Sequence, residues 1–473
     1  MNLKLLLFYI LFLMVTLILP YDALAYLLIL LMVLFSIKYL KTNMMFLFVY
    51  YPLRPIMSEI NQGLTFLGDA VLISALVITL FYKKSDIYSL SRKQSYFIYY
   101  LLFLMIGSIS ALIISNVSII SLAVELRALG LMLIFVFIFS NNYWVKRDYI
   151  LLLNTTFVTA LVISVHGILE KLLGKSVMLP QSWAAWDLSK ENAERVYGTL
   201  GNPNVLAMYL LFVFVLTFLP FVKESRLKFM VPIVQIATLS TVLLTASRGS
   251  LLAFFIAGFI YLIITKKWTY FLKVALLTVL SFILIYYPAQ SLADAFDQKD
   301  DRDKTEQREK KSKKDSLDLF ERLQVMFSDR TIKASTNWGR IYILIKGKEI
   351  FLDHPIIGTG FATFGDSATQ SFSSPIYETY NIKGDIYTDN QYIHILVSTG
   401  LVGLILLMIF LIRLLRMIWT QYLFEDKWFF IFLTITFLIS CLYYNTLESK
   451  TFMMLYFTLL GILFNRSRGV DHA

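Results

Sequence analysis

Apolar runs about as long as a membrane is thick recur along this 473-residue sequence, near 3–20, 22–40, 62–82, 96–116, 119–139, 149–171, 203–222, 228–245, 249–265, 270–287, 392–415, 428–446 and 451–464. A helix of roughly 20 such residues crosses a hydrocarbon core of ~30 Å. Inside that core each backbone N–H and C=O must be satisfied within the protein, and for runs of this length a helix does so. The fold class that follows is all-α: a polytopic membrane bundle of 12–14 spans with one large loop between late spans. Charged residues make up 16% of the chain, against about 25% in soluble globular proteins. The deficit is spread along the chain, so this is not one anchor on a soluble domain. The 39 Phe and 28 Tyr suit aromatic belts at the two interfaces. The one cysteine, Cys441, lies inside an apolar run, which leaves no intrachain disulfide and no thiolate metal site. The first run lacks a small-residue cleavage site and a second follows at once, the pattern of a retained helix.

A net charge of +11 suggests nucleic acid in a soluble chain. Here the positive residues cluster in alternate short loops: Lys38 and Lys41; Lys83, Lys84, Arg92 and Lys93; Lys146 and Arg147; Lys223, Arg226 and Lys228; Lys266 and Lys267; Arg413, Arg416 and Lys427; Arg466 and Arg468. The positive-inside rule makes these loops cytoplasmic, and topology rather than nucleic acid accounts for the charge. A shorter run, 44–53, ends in Tyr51-Pro52-Leu53-Arg54-Pro55 and is either a short span or a re-entrant segment. The alternation closes if it crosses, giving 14 segments with both termini inside. The opposite loops are 172–202, 246–248, 447–450 and one long segment, 288–391. The chain thus divides into an N-terminal bundle at 1–287, an extracytoplasmic loop at 288–391 and C-terminal helices at 392–465.

The long loop has two halves. Residues 297–330 hold 10 acidic and 10 basic side chains, with Glu306 and Lys310, then Glu309 and Lys313, at i,i+4 spacing. Leu319, Phe320, Leu323, Met326 and Phe327 follow at helical period. This half reads as a partly helical, solvated spacer. Residues 336–391 run from Asn337-Trp338-Gly339-Arg340 through His354-Pro355-Ile356-Ile357-Gly358-Thr359-Gly360-Phe361 to Asp389-Asn390-Gln391-Tyr392. Its Gly and Pro mark sharp turns, the texture of a folded cap.

Three arginines fall on the outer side: Arg195 in Arg195-Val196-Tyr197-Gly198-Thr199-Leu200-Gly201-Asn202-Pro203-Asn204, Arg248 in the corner Ala246-Ser247-Arg248-Gly249-Ser250, and Arg340 at the start of the cap. A guanidinium offers a planar fork of donors matched to phosphate oxygens. Any one of them could merely anchor a helix by snorkelling. Three together, beside Asn- and Gly-rich turns, are what a lipid-linked diphosphate needs. Glu125 and Arg127 fall inside a predicted span, where charge is costly and often functional, and at i,i+2 they do not face each other. Glu448 lies in the last outer corner, within reach of the arginines or as a solvated turn residue. Glu170 and His166 share a helix face and could form a buried polar pair.

The order Arg195…Gly198-Thr199…Asn202-Pro203-Asn204, Ser247-Arg248-Gly249, Pro355…Gly358-Thr359-Gly360, and Asp389-Asn390…Tyr392-Ile393…Gly400-Leu401-Val402-Gly403 resembles the O-antigen ligase and polymerase superfamily over roughly residues 60–465. The resemblance implies a bacterial inner-membrane glycosyltransferase of the type C architecture, active on the extracytoplasmic face and needing no cofactor or metal. Its substrate would be an undecaprenyl-diphosphate-linked glycan in the lipid bilayer, with other polysaccharide-assembly proteins as candidate partners. Arg195, Arg248 and Arg340 would hold the diphosphate and steady its charge as it leaves, with Asn202, Asn204 and Asn390 beside the glycan. Many members place a histidine, the proposed general base, where this chain has Asp389. An ordinary aspartate near pKa 3.9 is a weaker base than a histidine near 6.5 unless burial raises it. Asp389 also stands where a helix N-cap belongs, so a base or acceptor-binding role and capping both remain open. His394, about 140° around a helix and about 7.5 Å along it, faces elsewhere.

Within the enzyme class, polymerisation of lipid-linked repeat units comes first, and ligation to a lipid or protein acceptor second. A transporter of lipid-linked sugars is the alternative outside it. Such a protein should show two-half repeats with paired broken helices, and the sequence has no such repeat.

Overall fold

Helix α2 (Asp22–Ile60) decides how the run 44–53 is used. A straight helix of 39 residues would be about 58 Å long. Yet Asp22 Oδ1 accepts from Gly63 N, just past the other end, at 2.9 Å. The helix folds back at Tyr39, which has non-helical dihedrals. Asn43 clasps the two limbs by donating to Met32 O and to Ser36 Oγ, each at 2.7 Å. Helix α1 (Leu3–Ile18) runs alongside the second limb in the same direction, with Asn2 N bonded to Thr42 Oγ1 at one end and Asn61 to Thr16 O at the other. Residues 44–53 therefore belong to a full-length limb, not to a re-entrant segment.

The computed structural model describes residues 2–82, 95–302, 339–382, 384, 386–421 and 424–470. The charged half of the long loop and its apolar stripe at 319–327 lie outside them, apart from backbone up to Arg302. After α2 come α3 (Leu67–Tyr82), α4 (Phe97–Ile113), the bent pair α5 (Ile119–Gly130) and α6 (Leu133–Asn141), and α7 (Lys146–Leu173). Then follow α8 (Pro203–Leu216), α9 (Val231–Leu244), α10 (Arg248–Thr265) and α11 (Trp268–Ser281), which continues through a π turn into α12 (Tyr287–Arg302). The last four are α13 (Arg340–Asp353), α14 (Gln391–Gln421), α15 (Phe424–Ser440) and α16 (Lys450–Val470). No strand occurs among the described residues.

Among the described residues six helices are long and apolar enough to cross a membrane, seven with the pair α5–α6 counted as one span; six shorter apolar helices of 10–17 residues complete the set. With both limbs of α2 counted separately, the long and the shorter apolar helices together number 14 segments among the described residues. Ile18, Phe81 and Ile113 are among the exposed large apolar side chains around the bundle, the surface a bilayer would cover. Inside, close approach is bought with glycine: Gly461 of α16 leaves room for Phe139 of α6, and Gly107 of α4 for the Phe361 ring.

The second half of the loop is a cap with its own apolar cluster, Ile343, Ile350, Phe364, Ile376, Tyr377, Tyr380, Ile382 and Val397. It is joined to α14 through a break in that helix. Gly400 has φ +59°, a conformation glycine adopts at little cost. The break frees main-chain groups on both sides, and the cap segment 355–360 satisfies them. Thr359 N and Gly360 N donate to Val397 O and Ser398 O at 2.8 and 2.9 Å, while Leu401 N and Val402 N donate to Pro355 O and Ile356 O at 2.9 and 3.1 Å. A helix at membrane depth can break where a neighbouring backbone completes its hydrogen bonds. On its other side the cap meets α4 and the turn after it, where Ser110 and Ser115 donate to Gly358 O and Thr359 O respectively, each at 2.6 Å.

Candidate active site under the cap

The loop bearing Arg195 is held from two directions. Glu170, near the end of α7, accepts from Tyr197 N at 2.9 Å and Gly198 N at 2.6 Å. Asn202 caps α8, accepting from Asn204 N and Val205 N, and Pro203 begins the helix where no N–H is needed. Glu170 thus serves the loop and does not pair with His166, whose Nε2 meets Met178 O at 3.1 Å. Between these clamps Arg195 spreads over three acceptors: Thr245 O at 2.9 Å, Asn192 Oδ1 at 3.3 Å and Asn204 Oδ1 at 2.8 Å. Asn204 Oδ1 also accepts from Ser247 Oγ at 2.9 Å, tying the loop to the corner before Arg248. Arg248 opens α10, and Gly249 beside it leaves space for the Tyr443 ring, which a Cβ would meet at 2.6 Å.

Arg340 opens α13 and places Nη2 3.7 Å from Asp389 Oδ2; its side chain is 58% exposed and that of Asp389 34%, so both reach open space. Arg195 lies within electrostatic reach of Arg340, Asp389 and Arg248. The three arginines and Asp389, distant in sequence, therefore share one neighbourhood. Burial lowers the Arg195 pKa from its ordinary value, and the two other guanidiniums push the same way. Burial raises Asp389 above the ordinary carboxylate value, against the pull of Arg340 and Arg195. Asp389 is not the N-cap. Asn390 holds that place, its Oδ1 accepting from Tyr392 N and Ile393 N at 3.1 Å while Nδ2 donates to Leu442 O. Of the residues expected beside the glycan, Asn202 and Asn390 thus spend their acceptor oxygens on helix starts, and Asn204 spends its own on Arg195 and Ser247.

A second cluster went unread in the sequence. Glu125 of α5, Asp366 of the cap and His394 of α14 are all buried, with ligand atoms within 4.8 Å of one another, a spacing that could hold a cation. Glu448 borders them: it accepts from Ser367 N and Asn445 Nδ2, each at 2.9 Å, and from Ser367 Oγ. The hydrogen bonding favours a proton over a metal. Leu447 N donates to Gln391 Oε1 at 2.9 Å, which turns the Gln391 amide nitrogen toward His394 Nδ1 at 3.2 Å. Nδ1 then accepts, and the ring proton sits on Nε2, facing Asp366 Oδ2 at 3.7 Å. His394 is therefore walled off beneath the cap, as its helical offset from Asp389 required. Burial pushes Glu448 up to about 7, with the His394 and Ser367 contacts pulling the other way. Glu125 carried a signal, a carboxylate inside a span; Asp366 carried none.

These features define a polytopic all-α membrane protein with a cation-lined site beneath a cap. Residues 233–408 match the family model described as O-antigen ligase, in keeping with the O-antigen ligase and polymerase superfamily that the motif order resembles. The matched segment runs from α9 into α14 and includes Arg248, Arg340, Asp389 and Asn390; Arg195, Asn202 and Asn204 precede it. It supports glycan transfer of the ligase or polymerase type on a lipid-linked substrate. No curated protein matches the chain.

Proposed function

We propose that this protein polymerises undecaprenyl-diphosphate-linked oligosaccharide units into a cell-surface polysaccharide at the outer leaflet of the bacterial cytoplasmic membrane. The observation that carries the reading is the meeting of Arg195, Arg248 and Arg340 with Asp389 beside the cap. An acceptor hydroxyl attacks the anomeric carbon of the donor glycan. The new glycosidic C–O bond forms as the C–O bond to the diphosphate breaks, the hydroxyl proton passes to Asp389, and the arginines hold the diphosphate with its electron pair. Arg340 links the two halves of this chemistry. Paired with Asp389 it lowers the carboxylate's basicity; drawn to an arriving diphosphate, it leaves Asp389 a stronger base when one is needed.

Ligation to another acceptor uses the same chemistry and differs in what occupies the acceptor side. The test is reconstitution with a synthetic lipid-linked repeat unit. Arg195→Ala and Arg248→Ala should each abolish polymer while the protein still elutes as a folded species. A product one unit longer on a foreign acceptor, with no ladder, would make the chain a ligase. Full-length polymer from both variants would end the catalytic reading.

A further inference from the structure

Helix α5 sends two charges to opposite sides. Glu125 joins the buried carboxyl cluster, while Arg127 enters a second cationic group that the proposed reaction leaves unused. Arg127 Nη1 lies 3.3 Å from Asp69 Oδ2 on α3, with its guanidinium over the Phe66 ring at 5.8 Å. Arg54, on the second limb of α2, is steadied by Nε donating to Thr65 O at 3.2 Å. Lys450, the first residue of α16, has Arg54, Asp69 and Arg127 as its electrostatic neighbours, and none of Arg195, Arg248 or Arg340. Tyr51, 2% exposed, is coupled to Asp69, Arg54 and Arg127.

Three basic side chains here face one carboxylate, Asp69, whose two oxygens are also buried without a hydrogen-bond partner and can answer at most part of the group's donors. Among the described residues Lys450 Nζ, Arg127 Nε and the Tyr51 hydroxyl are buried without a hydrogen-bond partner, and each can donate. The Ser449 and Thr451 hydroxyls flanking Lys450 are likewise buried without partners. Buried donors and uncompensated buried cations are costly to leave so, and both costs have the same remedy, an anion with several acceptor oxygens. The start of α16 adds the positive end of a helix dipole. Charges at membrane depth face protein interiors or cavities and mark the route of charged substrates. Arg127 keeps 29% of its side chain exposed, so the group is not sealed.

We propose that Arg54, Arg127 and Lys450 form a second anion site, which takes the diphosphate of the lipid-linked acceptor while the Arg195 cluster takes that of the donor. This rests on the polymerase reading, in which two lipid-linked diphosphates must be held at once. Asp69 sets the charge of the site, fixing Arg127 and leaving Lys450 and Arg54 to meet the ligand.

The experiment is native mass spectrometry of the full chain with undecaprenyl diphosphate as probe. Wild type should bind two equivalents, and Lys450→Met and Arg54→Gln one each, with the lost equivalent weakened about tenfold or more, as expected for a charge-assisted hydrogen bond. Lys450→Met removes the buried, unpartnered amine and keeps the side chain's length; Arg54→Gln, at a partly exposed position, gives the same comparison if that variant fails to fold. Arg195→Ala should lose the other equivalent. Two equivalents retained in both Lys450→Met and Arg54→Gln, with one lost in Arg195→Ala, overturns the second site and leaves the proposed function standing. Two retained in Arg195→Ala overturns both. Inorganic pyrophosphate is the second arm: if it displaces the Lys450-dependent lipid at matching concentration, the occupant is a free anion and the acceptor assignment falls. Failure to displace it supports the lipid-linked headgroup.

Discussion

Replacing Arg195 with lysine keeps the charge and removes the fork. The guanidinium reaches Thr245 O, Asn192 Oδ1 and Asn204 Oδ1 at once; an ammonium on a flexible stem can keep one of these. Two charge-assisted hydrogen bonds, at roughly 1.5 kcal/mol each for the low end of the range, come to about 3 kcal/mol of positioning energy, less the part that solvent returns at a half-buried site. A shift of about 1 Å in a positioning group is worth ~10²-fold in rate, and loss of one transition-state donor ~10²–10³-fold. Arg195→Lys should therefore slow polymerisation by about 10²-fold, and Arg195→Ala by ~10³-fold or more. The assay is initial rate from a gel ladder with a synthetic lipid-linked repeat unit, alongside size-exclusion profiles. Asn204→Ala releases the same guanidinium, so the pair Arg195→Lys with Asn204→Ala should be far from additive. A lysine variant within about threefold of wild type, or an additive pair, would show that a point charge suffices and that the fork does not act as described.

Asp389→Asn should lower the rate by ~10²–10⁴-fold, and the acid limb of the wild-type pH–rate curve should lie above the ordinary carboxylate value because burial raises Asp389; the limb should be missing from the variant. Gly360→Ala forces a side chain onto a residue at φ +100° whose Cβ would overlap the backbone N and Cα of Ala111. It should loosen the cap by about 2–4 kcal/mol, seen as faster tryptic cleavage at Lys346 and Lys348; an unchanged cleavage rate argues against the docking. Glu448 is raised from 4.5 to about 7 in the folded protein, chiefly by burial. A folded-state pKa raised in this way gives stability that is full below pH 4.5 and is lost as pH rises through about 7. Thermal midpoints followed across that window should slope in wild type and flatten in Glu448→Gln.

The apolar helices were legible because length and hydropathy are local properties, and the run at 44–53 proved to be part of one of them, the second limb of α2. The arginines were legible as donors near one surface, since each stands beside a turn or a helix start. Capping was misplaced by one residue: Asp389 and Asn390 both suit an N-cap, and the choice rests on which one faces Arg340 across a sequence gap of about fifty residues. The Glu125, Asp366 and His394 cluster was not legible, because two helices and the cap must fold before those side chains meet. Arg127 and Glu125 could be told not to pair with each other; where each would find partners depended on neighbours from α3, α14 and α16.

The break at Gly400 has a consequence for how this protein can be re-engineered. Residues 355–360 and 397–402 complete one another's main-chain hydrogen bonds, so neither is a finished piece of structure by itself. A graft that moves the loop into a relative and leaves its own late helix behind carries half of a joint. A chimera that exchanges 340–421 as a block carries both halves, along with Arg340 and Asp389. The exchangeable unit is therefore a composite of loop and span, and its seams belong at the start of α13 and the end of α14.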